Sequence, residues 1–345
     1  GIEYEKDIAV TGVVGLLGNG EGPCIALRAD MDALPIHEEA DVEFRSEIDG
    51  KMHACGHDCH TAMLLGAARV LKDNEGEING TIKLIFQPAE EGGAGGKMMR
   101  DQGVLEDPDV ERIFGLHVSD KLPTGTLASK EGTLLAATSS IKILVSGNGG
   151  HAAMPHLTVD PVVTGSKIVV ELQTLVSREL DPLESGVISI TMANAGSATN
   201  VIPSSMELQG TIRSLTSDGI TRLQQRVREV AEAIAMANRC IAEVTFPGND
   251  FPPTVNDGDC WELGRISAGE ILGEECVSEM GSIMGGEDFS YYTQVIPGCF
   301  SFLGVGNPEI GAVYGVHHPK FKVDEDALSL GTAIHVNTAF KALAG

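Results

Sequence analysis

Short apolar runs alternate with longer amphipathic stretches through the first third of the chain. The apolar runs at residues 23–28, 81–86 and 112–116 have the length of buried strands. Residues 60–72, between the first two runs, carry an apolar stripe with helical spacing. Strands separated by helices predict an α/β fold, in which helices cover a parallel or mixed sheet.

The pattern changes in the middle of the chain to the order β-α-β-β-α-β, which is typical of a ferredoxin-like domain. The strands are predicted at residues 140–146, 187–192, 206–213 and 242–246, and the helices at residues 160–180 and 218–238. Helix and strand then resume, with a strand at 299–306 and a closing helix at 324–344. The simplest architecture is one α/β domain in two pieces, 1–132 and 247–345, with a ferredoxin-like domain inserted at 133–246.

Composition narrows the classes of function. The chain has 345 residues, of which 42% are hydrophobic, and this is enough for two domains with their own cores. A formal charge of −25 disfavours binding to nucleic acid or to an anionic membrane surface. No run approaches the roughly 20 apolar residues that span a bilayer. The seven cysteines are irregularly spaced, which disfavours a disulfide framework and indicates a reducing compartment such as the cytoplasm.

The densest group of chemically active side chains is MHACGHDCH, at residues 52–60. Thiolate, imidazole and carboxylate groups are all ligands of transition metals. Cys55 and His57 flank Gly56, and a glycine there allows a sharp turn that brings both side chains to one ion. Any one of these residues also fits a polar loop that caps the next helix, with Asp58 as the N-cap. Their density nevertheless predicts a metal site.

A second candidate group follows the predicted strand at 81–86, where the sequence reads PAEEGGAGG. Ligands of open α/β sheets gather at the carboxyl ends of the strands. Of two adjacent carboxylates, Glu90 and Glu91, one can hold a metal ion while the other accepts a proton from water. An exposed acidic turn would contain the same two residues, so this pair supports a metal site only in combination with the other groups.

Three weaker signals complete the set. His117 ends the next predicted strand, and Asp30 and Asp32 follow the strand at 23–28, where either could hydrogen-bond a histidine ligand. Near the end of the chain, His317 and His318 precede a proline, and one of the two rings could reach a metal ion.

Two other classes of function are compatible with parts of this pattern. A cysteine hydrolase would use Cys55 as nucleophile with His57 or His117 as base, but it leaves Glu90, Glu91 and His317 unexplained. A non-catalytic metal- or ligand-binding protein would have no use for a base such as Glu90.

Nine motifs in sequence order resemble the amidohydrolase branch of the M20 metallopeptidase superfamily. They are LRADMDALP, MHACGHDCHTAMLLGAA, FQPAEEGGAGG, GLHV, GGHAAMPH, TNVIPSSMELQGTIRS, FPPTVND, GGEDFSYY and HHPKF. That branch includes hippurate hydrolases, bacterial aminoacylases, plant indole-acetyl-amino-acid hydrolases and N-acetyl-diaminopimelate deacetylases. The resemblance runs from about Thr11 to the C-terminus. Relatives usually carry a helical segment before the first strand, and we expect that segment to be missing from the sequence given.

The resemblance implies a catalytic α/β domain with an inserted lid or dimerisation domain. It also implies a site with two divalent ions, which could be zinc, manganese, cobalt or nickel. The implied metal ligands are Cys55, His57, Glu91, His117 and His317. Glu90 matches the general base that forms the metal-bound hydroxide, and Asp32 matches an aspartate that hydrogen-bonds a histidine ligand. His151 matches a histidine that stabilises the oxyanion, and Asn200 and Arg213 match positions that bind the substrate.

The expected reaction is hydrolysis of the amide bond of an N-acyl amino acid or a similar small acylated amine. A dipeptidase or carboxypeptidase on the same fold is the alternative. The resemblance further implies a homodimer or higher homo-oligomer that forms through the inserted domain, and no nucleic-acid or membrane partner is expected.

Overall fold

The computed structural model describes residues 1–344, which divide into two compact units. Its strands are β1 (Glu3–Ile8), β2 (Gly12–Gly18), β3 (Cys24–Asp30), β4 (Thr81–Gln87), β5 (Arg112–Pro123), β6 (Leu127–Ser129), β7 (Gly132–Leu135), β8 (Ala137–Ser146), β9 (Gly150–His151), β10 (Gly186–Ala195), β11 (Val201–Ile202), β12 (Ser205–Ser214), β13 (Ile241–Thr245), β14 (Thr254–Asn256), β15 (Val277–Glu279) and β16 (Gly298–Gly306). Its helices are α1 (His57–Asp73), α2 (Glu90–Gly93), α3 (Gly95–Asp101), α4 (Pro161–Thr174), α5 (Ser217–Ala237), α6 (Gly258–Leu272), α7 (Ser290–Thr293) and α8 (Asp326–Leu343).

The first unit contains Gly1–Leu134, Thr254–Gly281 and the chain from Glu287 onward. Its large sheet has the strand order β1-β2-β4-β3-β5-β16-β6-β15. The pairs β3/β4, β3/β5, β5/β16 and β6/β15 are parallel, while β1/β2, β2/β4 and β6/β16 are antiparallel. The sheet is therefore mixed, and the predicted α/β fold class is confirmed.

Strands β3 and β4 lie at the centre of this sheet, and every residue in them is buried. Parallel strands that are covered on both faces read as continuous apolar runs, which is why their sequence predicted them. Helices α1 and α8 pack against each other and against β3, and α6 packs on α8. The carboxyl ends of β3 and β4 lie side by side, and the end of β3 adjoins the middle of β5, so the turns after β3 and β4 start next to the central residues of β5.

The second unit contains Leu135–Pro253 and Ser282–Gly286. Its sheet is antiparallel with the order β10-β12-β8-β13, and α4 and α5 pack on it and on each other. This is the ferredoxin-like topology that the β-α-β-β-α-β order predicted. The core comes from apolar positions with period two in β8 (Ile141, Ile143, Val145) and a four-residue spacing in α5 (Leu223, Val227, Ala231).

Several elements differ from the sequence prediction. Strands β1 and β2 were not predicted. Strand β1 has only one buried residue, and β2 contains three glycines and mixes buried with half-buried residues. The helix predicted at 160–180 is α4 followed by a π-helical segment, Leu175–Glu179. Residues 247–253 and Ser282–Gly286 lie with the second unit, whereas the sequence prediction ended the inserted domain at residue 246. Within residues 1–344, no helix combines the length and apolar character needed to cross a bilayer.

Candidate metal centre

The turn that leads into α1 presents Cys55 and His57, which are separated by one residue. Gly56 lies between them in the left-handed region, with φ of 84°. A Cβ atom at Gly56 would lie only 2.4 Å from Val118 Cγ2, and a left-handed conformation costs other residues about 1–2 kcal/mol. Glycine therefore satisfies both the backbone and the packing at this turn. Helix α1 begins at His57, so the second side chain of the pair points from the first helical position.

The turn after β4 presents Glu90 and Glu91, and Asp32 holds its backbone. Ala89 has a left-handed φ of 58°, which turns the chain sharply at the end of the strand. The Glu90 N–H donates to Asp32 Oδ1 at 3.1 Å and the Glu91 N–H donates to Asp32 Oδ2 at 3.0 Å. His57 Nδ1 also donates to Asp32 Oδ1, at 3.2 Å. Asp32 thus links the two turns.

These three hydrogen bonds stabilise the charged form of Asp32. Burial raises the pKa of this carboxyl, but the hydrogen bonds from His57 and from the Glu91 and Glu90 N–H groups outweigh burial. The pKa of Asp32 therefore lies below its ordinary value. The ionised carboxylate fixes the His57 ring with Nδ1 protonated, which leaves His57 Nε2 as the atom available to a metal ion.

His117 and His317 come from distant parts of the same unit. His117 is in the middle of β5, where its Nδ1 donates to the Val118 carbonyl at 2.7 Å and its Nε2 faces Cys55 Sγ. His317 has a left-handed φ of 67°, and its N–H donates to the Ala54 carbonyl at 2.7 Å. That bond holds the His317 loop directly against the Cys55 turn.

The five predicted ligands converge into two overlapping groups. Cys55, His57 and His117 form one group, and Cys55, Glu91 and His317 form the other, with all ligand atoms of a group within 4.8 Å of one another. Cys55 Sγ lies 3.5 Å from His117 Nε2, and His317 Nε2 lies 3.0 Å from Glu91 Oε1. The side chains that the sequence proposed as ligands are therefore neighbours in space.

Unpartnered polar atoms show that this donor set fits divalent cations. His57 Nε2 and Glu91 Oε1 are buried and have no hydrogen-bond partner among the described residues. The Glu91 oxygen lies close to His317 Nε2 but without hydrogen-bond geometry. A buried acceptor without a partner is costly, and two of them in one cluster of sulfur, nitrogen and oxygen ligands are the arrangement that a metal ion satisfies.

Electrostatics at Cys55 disfavour a cysteine nucleophile. Burial, and then the carboxylates of Glu91, Asp30 and Glu90, raise the pKa of the Cys55 thiol far above its ordinary value. A nucleophilic cysteine needs the opposite shift. Burial and the neighbouring His60 lower the pKa of His117 to about 3, so His117 is a poor proton acceptor. The surroundings of the thiol instead favour a cation, which would stabilise the thiolate as a ligand.

Glu90 lies beside this cluster in an acidic environment. It is buried, and its carboxylate lies within 4.8 Å of carboxylate oxygens of Glu287 and Asp288. Burial, and then Glu287, Asp288 and Asp30, raise the pKa of Glu90 well above its ordinary value. The shift moves Glu90 towards the range in which a carboxylate both accepts and releases a proton near neutral pH.

The remaining residues of the MHACGHDCH motif have other surroundings. Cys59 packs into the core of the first unit. His60 hydrogen-bonds Asp30 and the Val118 N–H, and Asp58 is exposed and does not cap α1, whose N-cap is Gly56. His318, which follows the candidate ligand His317, stacks on Tyr314 with ring centroids 4.5 Å apart. The sequence did not distinguish these residues from the ligands.

His151, Asn200 and Arg213 all lie in the second unit. His151 is on β9, which pairs with β11, and the Asn200 carbonyl accepts a hydrogen bond from the Ala152 N–H at 3.0 Å. His151 and Asn200 are thus brought together by this short two-stranded ribbon. Arg213 is on β12, where Nη1 donates to the Met284 carbonyl at 2.7 Å. Their catalytic and substrate-binding roles stay predictions.

A comparison with models of protein families identifies the family of this chain. The model of peptidase family M20/M25/M40 matches residues 26–341, which is nearly the whole chain. The chain belongs to this family. The M20 chain is similar to IAA-amino acid hydrolase ILR1-like 2 of Arabidopsis thaliana, with 48% identity over 99% of the chain and 78% of the relative. It is also similar to thermostable carboxypeptidase 2 of Saccharolobus solfataricus, with 42% identity over 99% of the chain and 86% of the relative.

A solved structure is similar to this chain over nearly its whole length. A dinuclear metal-binding peptidase of the M20 family from Bacillus subtilis superposes with a TM-score of 0.85 at 35% identity. The superposition covers 99% of this chain and 88% of that one. Together with the ligand cluster, this likeness supports two divalent metal ions per chain. The M20 chain is therefore a metal-dependent hydrolase of amide bonds.

Proposed function

We propose that this M20 chain hydrolyses the amide bond of N-acyl amino acids and similar small acylated amines. The observation that carries the proposal is the cluster of two ligand groups that share Cys55, with the buried carboxylate of Glu90 beside them. The similarity to a plant IAA-amino acid hydrolase supports an acyl group on one side of the scissile bond and an amino acid on the other.

In the proposed mechanism, Cys55, His57 and His117 would hold one divalent ion, and the group of Cys55, Glu91 and His317 would hold a second. Bound divalent ions polarise a carbonyl group and lower the pKa of water to about 7. The Glu90 carboxylate accepts the proton of the attacking water. It then delivers that proton to the amine nitrogen as the C–N bond breaks.

Residues of the second unit complete the proposal. His151 donates a hydrogen bond to the carbonyl oxygen as negative charge develops there, and such a donor typically lowers the barrier by about 2.7–4 kcal/mol. Arg213 binds the free carboxylate of the amino acid, for which a planar guanidinium is well suited. Asn200 is proposed to bind the substrate near its carbonyl group. These roles rest on the resemblance of the motifs that contain the three residues.

A substrate panel tests the proposal. The purified protein is assayed with N-acetyl, N-benzoyl and N-indole-acetyl amino acids, with dipeptides, and with N-acyl amines that lack a carboxylate. We expect hydrolysis of N-acyl amino acids, loss of turnover after dialysis against a chelator, and recovery when zinc or manganese is added back. Turnover that survives removal of the metal would contradict metal-dependent catalysis, and hydrolysis of dipeptides alone would favour the dipeptidase or carboxypeptidase alternative.

The same panel tests Arg213. Replacement of Arg213 by glutamine is expected to raise KM for N-acyl amino acids by about 10- to 100-fold, because a hydrogen bond to a charged group contributes about 1.5–3 kcal/mol. N-acyl amines without a carboxylate should be hydrolysed equally by both proteins. Arg222→Gln, which removes an exposed arginine paired with Glu184, is the control. A similar loss on both substrate classes would contradict recognition of the carboxylate.

The thiolate ligand favours a soft or borderline ion, and we propose zinc, manganese, cobalt or nickel rather than magnesium.

We also propose a cytoplasmic location. All seven cysteines of the sequence lie among the described residues and are free, which suits a reducing compartment.

We further propose a homodimer that forms through the second unit. Val163 and Val170 on α4 are 51% and 69% exposed, and the second half of β10, including Met192, is exposed as well. Apolar side chains at this density are typical of a surface that binds another protein. Sedimentation velocity should give twice the chain mass of 36.3 kDa, and Val163→Asp with Val170→Asp should give a monomer. A monomeric wild-type protein at micromolar concentration would contradict the dimer.

A further inference from the structure

A buried chain of hydrogen bonds lies behind the metal centre, and it begins at Arg28. The Arg28 side chain is only 1% exposed although it is charged. Its Nη1 donates to Asp30 Oδ2 at 2.7 Å, and its Nη2 donates to Glu287 and Asp288 at 3.0 and 2.9 Å. A buried charge is stable only when it is paired, and Arg28 is paired with three carboxylates. The guanidinium therefore fixes the position of the Asp30 carboxylate.

The second oxygen of Asp30 fixes the ring of His60. His60 Nδ1 lies 2.5 Å from Asp30 Oδ1 and donates to it. On the other side of the ring, His60 Nε2 accepts a hydrogen bond from the Val118 N–H at 2.9 Å. Both ring nitrogens are thus engaged in one tautomer, which is why His60 is not available as a metal ligand.

The Val118 N–H needs this partner because β5 is no longer paired with β3 at this residue. The pairing of β5 with β3 stops at Gly115, so β3 offers no partner to Val118. His60 Nε2 takes the place of a strand carbonyl for this amide. The Val118 carbonyl accepts the Nδ1 hydrogen of His117 at 2.7 Å. The peptide groups of Val118 therefore connect His60 to a predicted metal ligand.

The rings are also in direct contact. The ring centroids of His60 and His117 are 4.5 Å apart at an interplanar angle of 60°. Since His117 Nδ1 is bonded to the Val118 carbonyl, its Nε2 faces Cys55 Sγ. Any movement of β5 at His117 and Val118 would move His117 Nε2 away from the other ligands.

We propose that His60, held by Asp30 and Arg28, is a positioning residue for the metal centre. It fixes β5 at Val118 through the N–H of that residue and thereby holds the His117 ring in the tautomer and orientation that bind metal. This inference rests on the metal site of the proposed function but not on the substrate. Outer hydrogen bonds of this kind are worth about 10- to 100-fold in metal affinity in other metalloproteins.

The test compares two substitutions of similar size. Glutamine at position 60 can still donate to Asp30 and accept from the Val118 N–H, whereas methionine cannot donate and its sulfur is only a weak acceptor. Metal affinity is measured by competition with a chromophoric chelator, and the geometry by the visible absorption spectrum of the cobalt-loaded protein. We expect His60→Met to weaken metal binding by about 10- to 100-fold and to change the cobalt spectrum, and His60→Gln to remain closer to wild type.

His335→Met is the matched control, because His335 is another buried histidine, on α8, and belongs to none of the candidate ligand groups among the described residues. We expect it to leave metal affinity unchanged even if it lowers the melting temperature. Equal affinity in His60→Met and wild type, or an equal loss in His335→Met, would overturn the proposal. A wild-type protein that binds no metal would instead contradict the proposed function, so the two failures are distinguishable.

A measurement on the wild-type protein covers the case in which His60→Met does not fold. Long-range proton–nitrogen NMR spectra of protein with labelled histidine report the tautomer of each ring. We expect His60 to be neutral with hydrogen on Nδ1 and with a coupling across the hydrogen bond from the Val118 amide. Hydrogen on Nε2 would exclude the bond on which the proposal depends.

Discussion

Replacement of Glu90 by glutamine is expected to leave two metal ions bound and to lower kcat by about 100- to 10,000-fold, the range for loss of a general base. Glutamine has nearly the same shape as glutamate but no basic oxygen. The backbone N–H of residue 90 would still donate to Asp32, so the turn that carries the ligand Glu91 should be preserved. Elemental analysis and steady-state kinetics on an N-acyl amino acid measure the two quantities.

The acidic surroundings of Glu90 add a second expectation. Carboxylate oxygens of Glu287 and Asp288 lie within 4.8 Å of the Glu90 carboxylate, and like charges at this distance repel. Removing one buried carboxylate from the group should therefore not lower the melting temperature, and should raise it if repulsion dominates. A large loss of turnover without a loss of stability would identify a chemical role rather than a structural one.

The control is Glu77→Gln, which makes the same chemical change at an exposed glutamate in the first unit. It should keep wild-type turnover and metal content. Near-normal turnover in Glu90→Gln would remove Glu90 from the role of base, and a loss of bound metal in that variant would reassign it as a ligand.

Much of the fold could be predicted from the apolar pattern because the central elements are buried throughout. Strands β3 and β4 are buried at every position, and α5 shows a regular four-residue spacing of Leu223, Val227 and Ala231. Strand β1 could not be predicted in this way. Only Ile8 in it is buried, so its position depends on pairing with β2 and not on a side-chain pattern.

The ligand set could be predicted only as candidates from the residues themselves. Cys55 and Cys59 look alike in the sequence, but α1 begins at His57, and Cys59 turns into the core with the helix. Likewise, the sequence does not distinguish His60 from His57 as a ligand. In the structure, the Asp30 carboxylate and the Val118 N–H hydrogen-bond both ring nitrogens of His60. The helix start and these long-range contacts decide which side chains face the cluster, and neither can be read from spacing.

The buried charges were missed by the sequence analysis, although a signal was present. Arg28 interrupts an otherwise apolar strand, and a charged residue at such a position requires buried partners. Glu287 and Asp288 are those partners, but they lie more than 250 residues away along the chain. A single sequence cannot assign a pair at this separation, and only the folded structure identifies the GGEDF motif as the counter-charge.

The largest effect on metal content is expected from Cys55→Ser. Cys55 belongs to both ligand groups, whereas His317 belongs to one of them. A serine hydroxyl is not ionised at neutral pH and is a poor ligand for zinc-like ions, so both groups lose a ligand at once. We expect Cys55→Ser to lose most of both ions and to show turnover no higher than that of the chelated wild type. His317→Ala should instead retain one ion per chain.

Cys59→Ser is the control for this comparison, because Cys59 is buried four residues further on and belongs to none of the ligand groups among the described residues. It places the same polar atom in the core and should cost stability without changing metal content. The expected difference between the two variants depends on Cys55 being a ligand of both ions. If Cys55→Ser and His317→Ala each lost a single ion, the thiolate would bind one ion only, and the two ions would occupy separate sites. Retention of both ions in Cys55→Ser would remove the cysteine from the ligand set and leave the remaining nitrogen and oxygen atoms to hold the metals without it.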